Sequence, residues 1–294
     1  MINADRFIKA ATDNLYTLKT DAQIFQKKQA FQGMELVQDV HRLCLMNMML
    51  HGIEGPVGCD DTLGPAGARL PKANVVLTNP PFGSQNTGSG HREDFTYPTN
   101  NRQLAFLQHI YRTLKPGGRA AVVLPDNVLF EDNTGRNIRA DLMNKCALHT
   151  VLRLPTGIFY AQGVKTNVLF FRRGTTDTGN TKEVWFYDLR ANMPSFGKRT
   201  PLTRAHFSDF EQAYGKDPNG QSTRKDTGES GRFRRFTREE IAGRNDNLDI
   251  TWIKSGDNTN DYTLAELLDQ IKEKSAAIAM AVSNLEQLIG EVDE

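Results

Sequence analysis

The sequence predicts an α/β fold, a mostly parallel sheet covered by helices on both faces, and three observations lead there. Short apolar, β-branched runs stop at proline, as at 74–78 before Asn79-Pro80-Pro81 and at 119–124 before Pro125. Segments of helical periodicity lie around them, at 36–51 and 104–114. Strands alternating with helices form βαβ units, whose parallel strands are covered on both faces.

Composition agrees with such a core. Of 294 residues 38% are hydrophobic, and the 24 glycines bring the apolar share to about 46%, within the globular range of ~45–50%. This length favours one large domain with an appendage. No run reaches the ~18 apolar residues of a spanning helix, and Asp5, Arg6 and Lys9 stand where a signal peptide would be apolar. A cytoplasmic protein with no membrane partner is expected. Cys44, Cys59 and Cys146 lack metal-ligand spacing, so reduced thiols and no metal are expected.

In chain order, the first 30 residues read as helix and loop, and 36–51 as a core-facing helix stopped by Gly52. Residues 74–78 read as a buried strand. The stretch 83–101, rich in Gly, Ser, Asn and Thr, reads as a loop, expected as a lid beside a ligand. Helix 104–114 closes at Lys115-Pro116-Gly117-Gly118 before strand 119–124, and further strands are predicted at 149–154, 166–172 and 184–189. The α/β domain is expected over 1–176, an extension with a basic loop over 177–256, and a long C-terminal helix over 257–294. In that helix Leu264, Leu268, Ile271, Ser275, Ile278, Val282, Leu285, Ile289 and Val292 keep a 4-3 spacing, the seam of a helix that meets a partner.

The net charge is +1, from 36 basic and 35 acidic residues, so the total points to no partner. Its distribution is uneven. Residues 195–244 hold 11 Lys/Arg against 7 Asp/Glu, with Arg232, Arg234, Arg235 and Arg238 bunched together. Residues 257–294 hold 2 against 9. A basic surface that meets phosphates beside an acidic element that avoids them fits this pattern.

The most informative residues are Asn79, Pro80, Pro81 and Phe82, at the carboxyl end of a predicted strand, where open α/β sheets bind ligands. An exocyclic amine on a base is a poor nucleophile because its lone pair is delocalised into the ring. The Asn79 amide oxygen and the Pro80 carbonyl can each accept one of its N–H bonds and aim the lone pair at an electrophilic methyl group. The prolines fix φ and hold both acceptors in place, and Phe82 offers a flat face to a base taken out of its stack.

These residues resemble the catalytic motif of the amino-group methyltransferases that modify adenine N6 in DNA. The set Gly33-Met34-Glu35, Met48-Met49-Leu50-His51-Gly52-Ile53, Asp61-Thr62-Leu63, Thr78-Asn79-Pro80-Pro81-Phe82-Gly83, Leu114-Lys115-Pro116-Gly117-Gly118-Arg119, Leu154-Pro155-Thr156-Gly157-Ile158-Phe159 and Thr166-Asn167-Val168-Leu169-Phe170-Phe171 resembles, in this order, the modification (M) subunits of type I restriction-modification systems. The resemblance covers about residues 1 to 200. It implies a Rossmann-like S-adenosylmethionine-dependent methyltransferase sheet with Asn79, Pro80, Pro81 and Phe82 catalytic. Glu35 is implied to hold the ribose hydroxyls of S-adenosylmethionine, Asp61 its adenine amine, and Asn79 to border the cofactor. Phe82 and Phe159 are implied to hold the target base. Implied partners are duplex DNA, a specificity (S) subunit through the C-terminal helix, and a restriction (R) subunit in the full complex.

The first strand and glycine-rich cofactor loop of that family have no counterpart here. The chain is therefore expected to be N-terminally truncated, its sheet incomplete, and inactive in isolation. Two other readings stand beside the DNA methyltransferase: a protein glutamine methyltransferase, which uses a similar turn on an amide nitrogen, and a non-catalytic scaffold that binds a specificity subunit.

Overall fold

The computed structural model describes residues 1–83, 92–159, 164–194, 196–197 and 200–253. The elements follow as α1 (Ile2–Ala11), α2 (Thr20–Lys28), β1 (Gly33–Glu35), α3 (Gln38–Leu50), β2 (Val57–Cys59), α4 (Pro65–Ala68), β3 (Ala73–Thr78), α5 (Arg102–Thr113), β4 (Leu114–Pro125), α6 (Asn127–Phe130), α7 (Thr134–Lys145), β5 (Cys146–Arg153), β6 (Thr166–Arg173), β7 (Glu183–Asp188), α8 (Ser208–Tyr214), β8 (Phe233–Thr237) and α9 (Arg238–Gly243). Strands β1 and β2 form a small parallel sheet, and the other six form a sheet of order β3-β4-β6-β5-β7-β8.

That larger sheet is mixed rather than mostly parallel. β3 pairs parallel with β4, and β5 with β7, while β6 runs antiparallel between β4 and β5 and β8 antiparallel to β7. The connection 154–165 joins the antiparallel neighbours β5 and β6, which need no crossover helix, and 174–182 carries the chain past β5 to β7. β3, β4, β5 and β7 still point the same way, so Asn79, Asp126, Leu154 and Leu189 follow strand ends at one edge of the sheet.

Alternation along β7 shows how both faces are filled. Val184 and Phe186 face a core built with Leu104 and Leu107 of α5 and Ile138 and Leu142 of α7. Trp185 and Tyr187 face the opposite core, with Phe210 of α8 and Phe233 of β8. The sheet therefore does not stop at residue 176: β7 and β8 belong to it. The arginines 232–238, expected on a basic loop, lie on and beside β8 instead. Residues 246–250 are tied to α7 and to the sheet by two buried arginines, Arg139 Nε of α7 donating to the Asp246 carbonyl (2.7 Å) and Arg153 Nη1 of β5 to that of Ile250.

The N-terminal third departs from expectation in its burial. Among the described residues β3 is an edge strand, not a buried one, with Val75 and Leu77 43% and 64% exposed. α3 is not core-facing: Leu43, Met46, Met49 and Leu50 are exposed and Met48 alone is buried. Helical periodicity reports an apolar stripe and says nothing of what covers it. Of the cysteines only Cys146 is buried, and burial pushes its thiol up to about 12. Among the described residues no helix is long and apolar enough to cross a membrane. The expected C-terminal helix lies outside the described residues.

Candidate active site

The Asn79–Phe82 turn leaves the sheet where β3 ends, in register with β4 through Thr78 and Val122. Pro80 is buried and anchors the turn, whereas Asn79 is exposed and its carboxamide makes no hydrogen bond among the described residues. A free amide at a fixed position is what an acceptor for an incoming amine requires. Gly83 follows at φ +118, a conformation that favours glycine and that lets the chain turn away behind Phe82.

Gln103, which sequence reasoning missed, holds the far side of this turn. Buried at the start of α5, its carboxamide brackets Gly83 when its oxygen and nitrogen are assigned by their partners, the oxygen then accepting from Gly83 N (2.5 Å) and the nitrogen donating to Gly83 O (3.2 Å) and to Asn101 Oδ1 (2.6 Å). Asn101 caps α5 by accepting from Gln103 N and Leu104 N, so the helix start and the turn are fixed together. Gln-Leu in a helical pattern reads as ordinary, and nothing local marks Gln103.

Phe82 meets Phe159 edge to face, with ring centroids 5.9 Å apart and planes at 78°. The two residues are 77 positions apart in sequence, and the ends of β3 and β5 bring them together. Gly157 shapes the Phe159 segment: its φ is +80, and a Cβ there would lie 2.1 Å from the Phe196 carbonyl oxygen. No larger residue fits this backbone approach.

Glu35 and Asp61 lie elsewhere, at the carboxyl ends of the small parallel sheet. Glu35 pairs with Cys59 across β1 and β2, and Asp61 follows two residues later. Glu35 Oε1 accepts from Val37 N (2.9 Å) and Asp61 Oδ1 from Leu63 N (2.8 Å), which sets the direction of each carboxylate. No hydrogen bond among the described residues joins either to Asn79. The connection between the two regions runs through Arg92, another residue the sequence did not mark. Its guanidinium donates to Thr62 O (3.2 Å), to both oxygens of Asp94 (2.7 Å each) and to His109 Nδ1 on α5 (2.7 Å).

Four arginines of the basic segment, by contrast, engage groups within the chain. Arg235 pairs with Glu183 (3.3 Å) and Arg238 with Asp246 (2.7 Å), and Arg232 donates to the Asp188 carbonyl (2.8 Å). Arg234 lies over the rings of Phe236 and Trp252.

Comparison with known proteins identifies relatives along the whole chain. The N-6 DNA Methylase family matches residues 1–261. The methylase subunits of the type I restriction enzymes StySPI of Salmonella potsdam and EcoKI of Escherichia coli K12 are each 48% identical to the whole chain, which spans 60% of their length. The crystal structure of the EcoKI M protein superimposes with a TM-score of 0.82, covering 97% of this chain and 66% of that one. A structure describing complex assembly and conformational transition of a type I restriction-modification system superimposes with a TM-score of 0.70 at 27% identity, over 99% of this chain and 59% of that one. With the family model matched over residues 1–261, the chain belongs to the N-6 DNA methylase family.

Proposed function

We propose that this chain carries the target-base half of an adenine N6-methyltransferase site in a type I modification subunit. The observation that carries the reading is the Asn79–Phe82 turn at the end of β3 with Phe159 set against it. Asn79 Oδ1 and the Pro80 carbonyl each accept one N–H of the adenine amine, which turns its lone pair out of conjugation. Phe82 and Phe159 hold the base. An edge-to-face pair at 5.9 Å has no room for a base between its rings, which would need about 7 Å, twice the ~3.4 Å stacking rise. Capture of the base therefore exchanges the ring–ring contact for ring–base stacking.

The residues present fit the nucleoside end of S-adenosylmethionine. Two carboxylates at neighbouring parallel strand ends, Glu35 and Asp61, match a ribose diol and an exocyclic amine. When bound, the cofactor supplies the electrophilic methyl group. The uncovered faces of α3 and β3 belong to the same reading: activity resides in an assembly that covers them. Duplex DNA, a specificity subunit engaged through 257–294 and a restriction subunit are the partners of that assembly.

A DNA substrate favours this reading over a protein glutamine methyltransferase, given the similarity to type I methylase subunits. The test is methyl transfer from labelled S-adenosylmethionine by the chain assembled with the other subunits of its system. N6-methyladenine in the DNA digest is expected; label on protein alone, or none, overturns the reading.

A further inference from the structure

Arg190, just beyond β7, grips both stems of the segment that carries Phe159. Its Nε donates to the Leu154 carbonyl (3.0 Å) and its Nη2 to the Thr166 carbonyl (3.0 Å), the residues where that segment leaves and rejoins the sheet. The stems also close on each other, Leu154 N donating to Thr166 O (2.9 Å). The two terminal nitrogens donate to the two oxygens of Asp126, each at 2.9 Å.

Asp126 is the first residue after β4, and it is held as firmly as it holds. Its amide donates to the Lys165 carbonyl (3.0 Å), and its Oδ1 accepts from Asn167 Nδ2 (2.7 Å) on β6. Burial disfavours its charge, but the hydrogen bonds and charge of Arg190 outweigh that and keep the carboxyl below its ordinary range. Asp188 Oδ1 accepts from both Arg190 N and Ala191 N (2.8 Å each), which fixes the turn from which Arg190 departs.

One guanidinium thus joins the ends of β4, β5, β6 and β7. Ion pairs removed from water contribute little net stability compared with apolar packing. What a planar, bidentate fork contributes is a fixed geometry, which a lysine does not reproduce. The Asn79–Phe82 turn stands on the neighbouring strand, so the same clasp sets the stems of the Phe159 segment relative to Phe82.

We propose that Arg190 and Asp126 are positioning residues that set Phe159 against Phe82 and so tune how the site admits a base. The part about the base rests on the functional reading above. The test uses the full chain with 4-fluorophenylalanine at 159 and, as a fold control, at Phe171 in the core. Fluorine spectra are compared among the unaltered protein, Arg190→Lys and Asp126→Asn. The unaltered protein is expected to give one line at 159. Each variant is expected to shift or split that line while the line at 171 stays in place. An unchanged line at 159 in both variants overturns the proposal, as does a change equal at both positions, which marks general loosening. Binding of a duplex carrying 2-aminopurine opposite a mismatch then reads base capture in the assembled subunit. A several-fold smaller emission gain is expected for Arg190→Lys. An equal gain overturns the link to the base, whereas no gain even in the unaltered protein counts against the functional reading and leaves the fluorine result to decide the clasp.

Discussion

Arg92 donates through Nη1 to the Nδ1 of a buried, neutral His109, at 2.7 Å. Burial first, and then the adjacent guanidinium charge, hold the imidazole down at about 4. His149, buried beside Arg224, is held at about 3 for the same two reasons. Between those values and the ordinary ~6.5, the unfolded chain takes up protons that the folded chain refuses. Stability conferred by both rings is present above about pH 6.5 and is lost as pH falls through that window. The melting temperature is expected to drop steadily from pH 7 to pH 5, before Asp94 and Asp126, whose lowered pKa values act only below about pH 4, begin to titrate. A flat or rising melting temperature on acidification contradicts the assignment.

Asn79→Ala and Phe82→Ala should separate chemistry from capture. In the assembled enzyme, Asn79→Ala is expected to abolish methyl transfer while DNA and cofactor affinity stay near their original values. Phe82→Ala is expected to weaken base capture by about 1–3 kcal/mol, the worth of stacking on one base. Single-turnover rates and 2-aminopurine titration distinguish the two; substantial turnover by Asn79→Ala removes the turn from the mechanism.

Gln103→Leu keeps the bulk of the side chain and removes both bonds to Gly83. The cost in stability is expected at about 1–3 kcal/mol, that of leaving backbone groups without their partners. Activity should fall by more than stability accounts for, because the turn bearing Asn79 loses its support. Denaturant melts run alongside turnover measurements check this; parallel losses place Gln103 in the core alone.

The arginines near β8 are expected to act on the fold rather than on phosphate. Phosphate contacts would each contribute about 0.9 to the salt slope of DNA binding. With Arg235 paired to Glu183 and Arg238 to a buried Asp246, Arg235→Gln should leave the slope unchanged and Arg238→Ala should lower the melting temperature. A slope reduced by about 0.9 in Arg235→Gln restores the phosphate role.

Deleting 262–294 should leave the α/β domain folded. The chain before it is fastened: Trp252 Nε1 donates to Gly231 O (2.7 Å), and its ring stands 6.2 Å from that of Phe236. Co-purification with a specificity subunit is expected to be lost, while cooperative melting is retained. Loss of cooperative melting assigns the segment to the domain's own core.

What the sequence disclosed, and what it hid, follows the range of the interactions. β3, its proline stop and the Asn79–Phe82 turn are local features, as are α5 and β4, and the same residues that make the turn rigid make it visible. Gln103, Arg92 and Arg190 are invisible for the opposite reason. Arg190 works across 64 residues to Asp126 and 36 to Leu154, and no spacing rule reaches that far. β8 was hidden by its own arginines: a strand with aromatics at Phe233 and Phe236 looks like a charged loop until Arg234 is seen stacked on Phe236 and Trp252. The parallel sheet was misjudged because local pattern fixes that a segment is a strand, not which way its neighbour runs.

The uncovered flank of α3 and β3 also bears on how the chain fares in a cell. Leu43, Met46, Met49, Leu50, Val75 and Leu77 present oily side chains, and β3 an unpaired edge, to whatever is nearby. A copy that finds no cover is a substrate for chaperones and proteases, and is prone to stick to its own kind. The amount of chain that accumulates therefore depends on how much of this flank is covered.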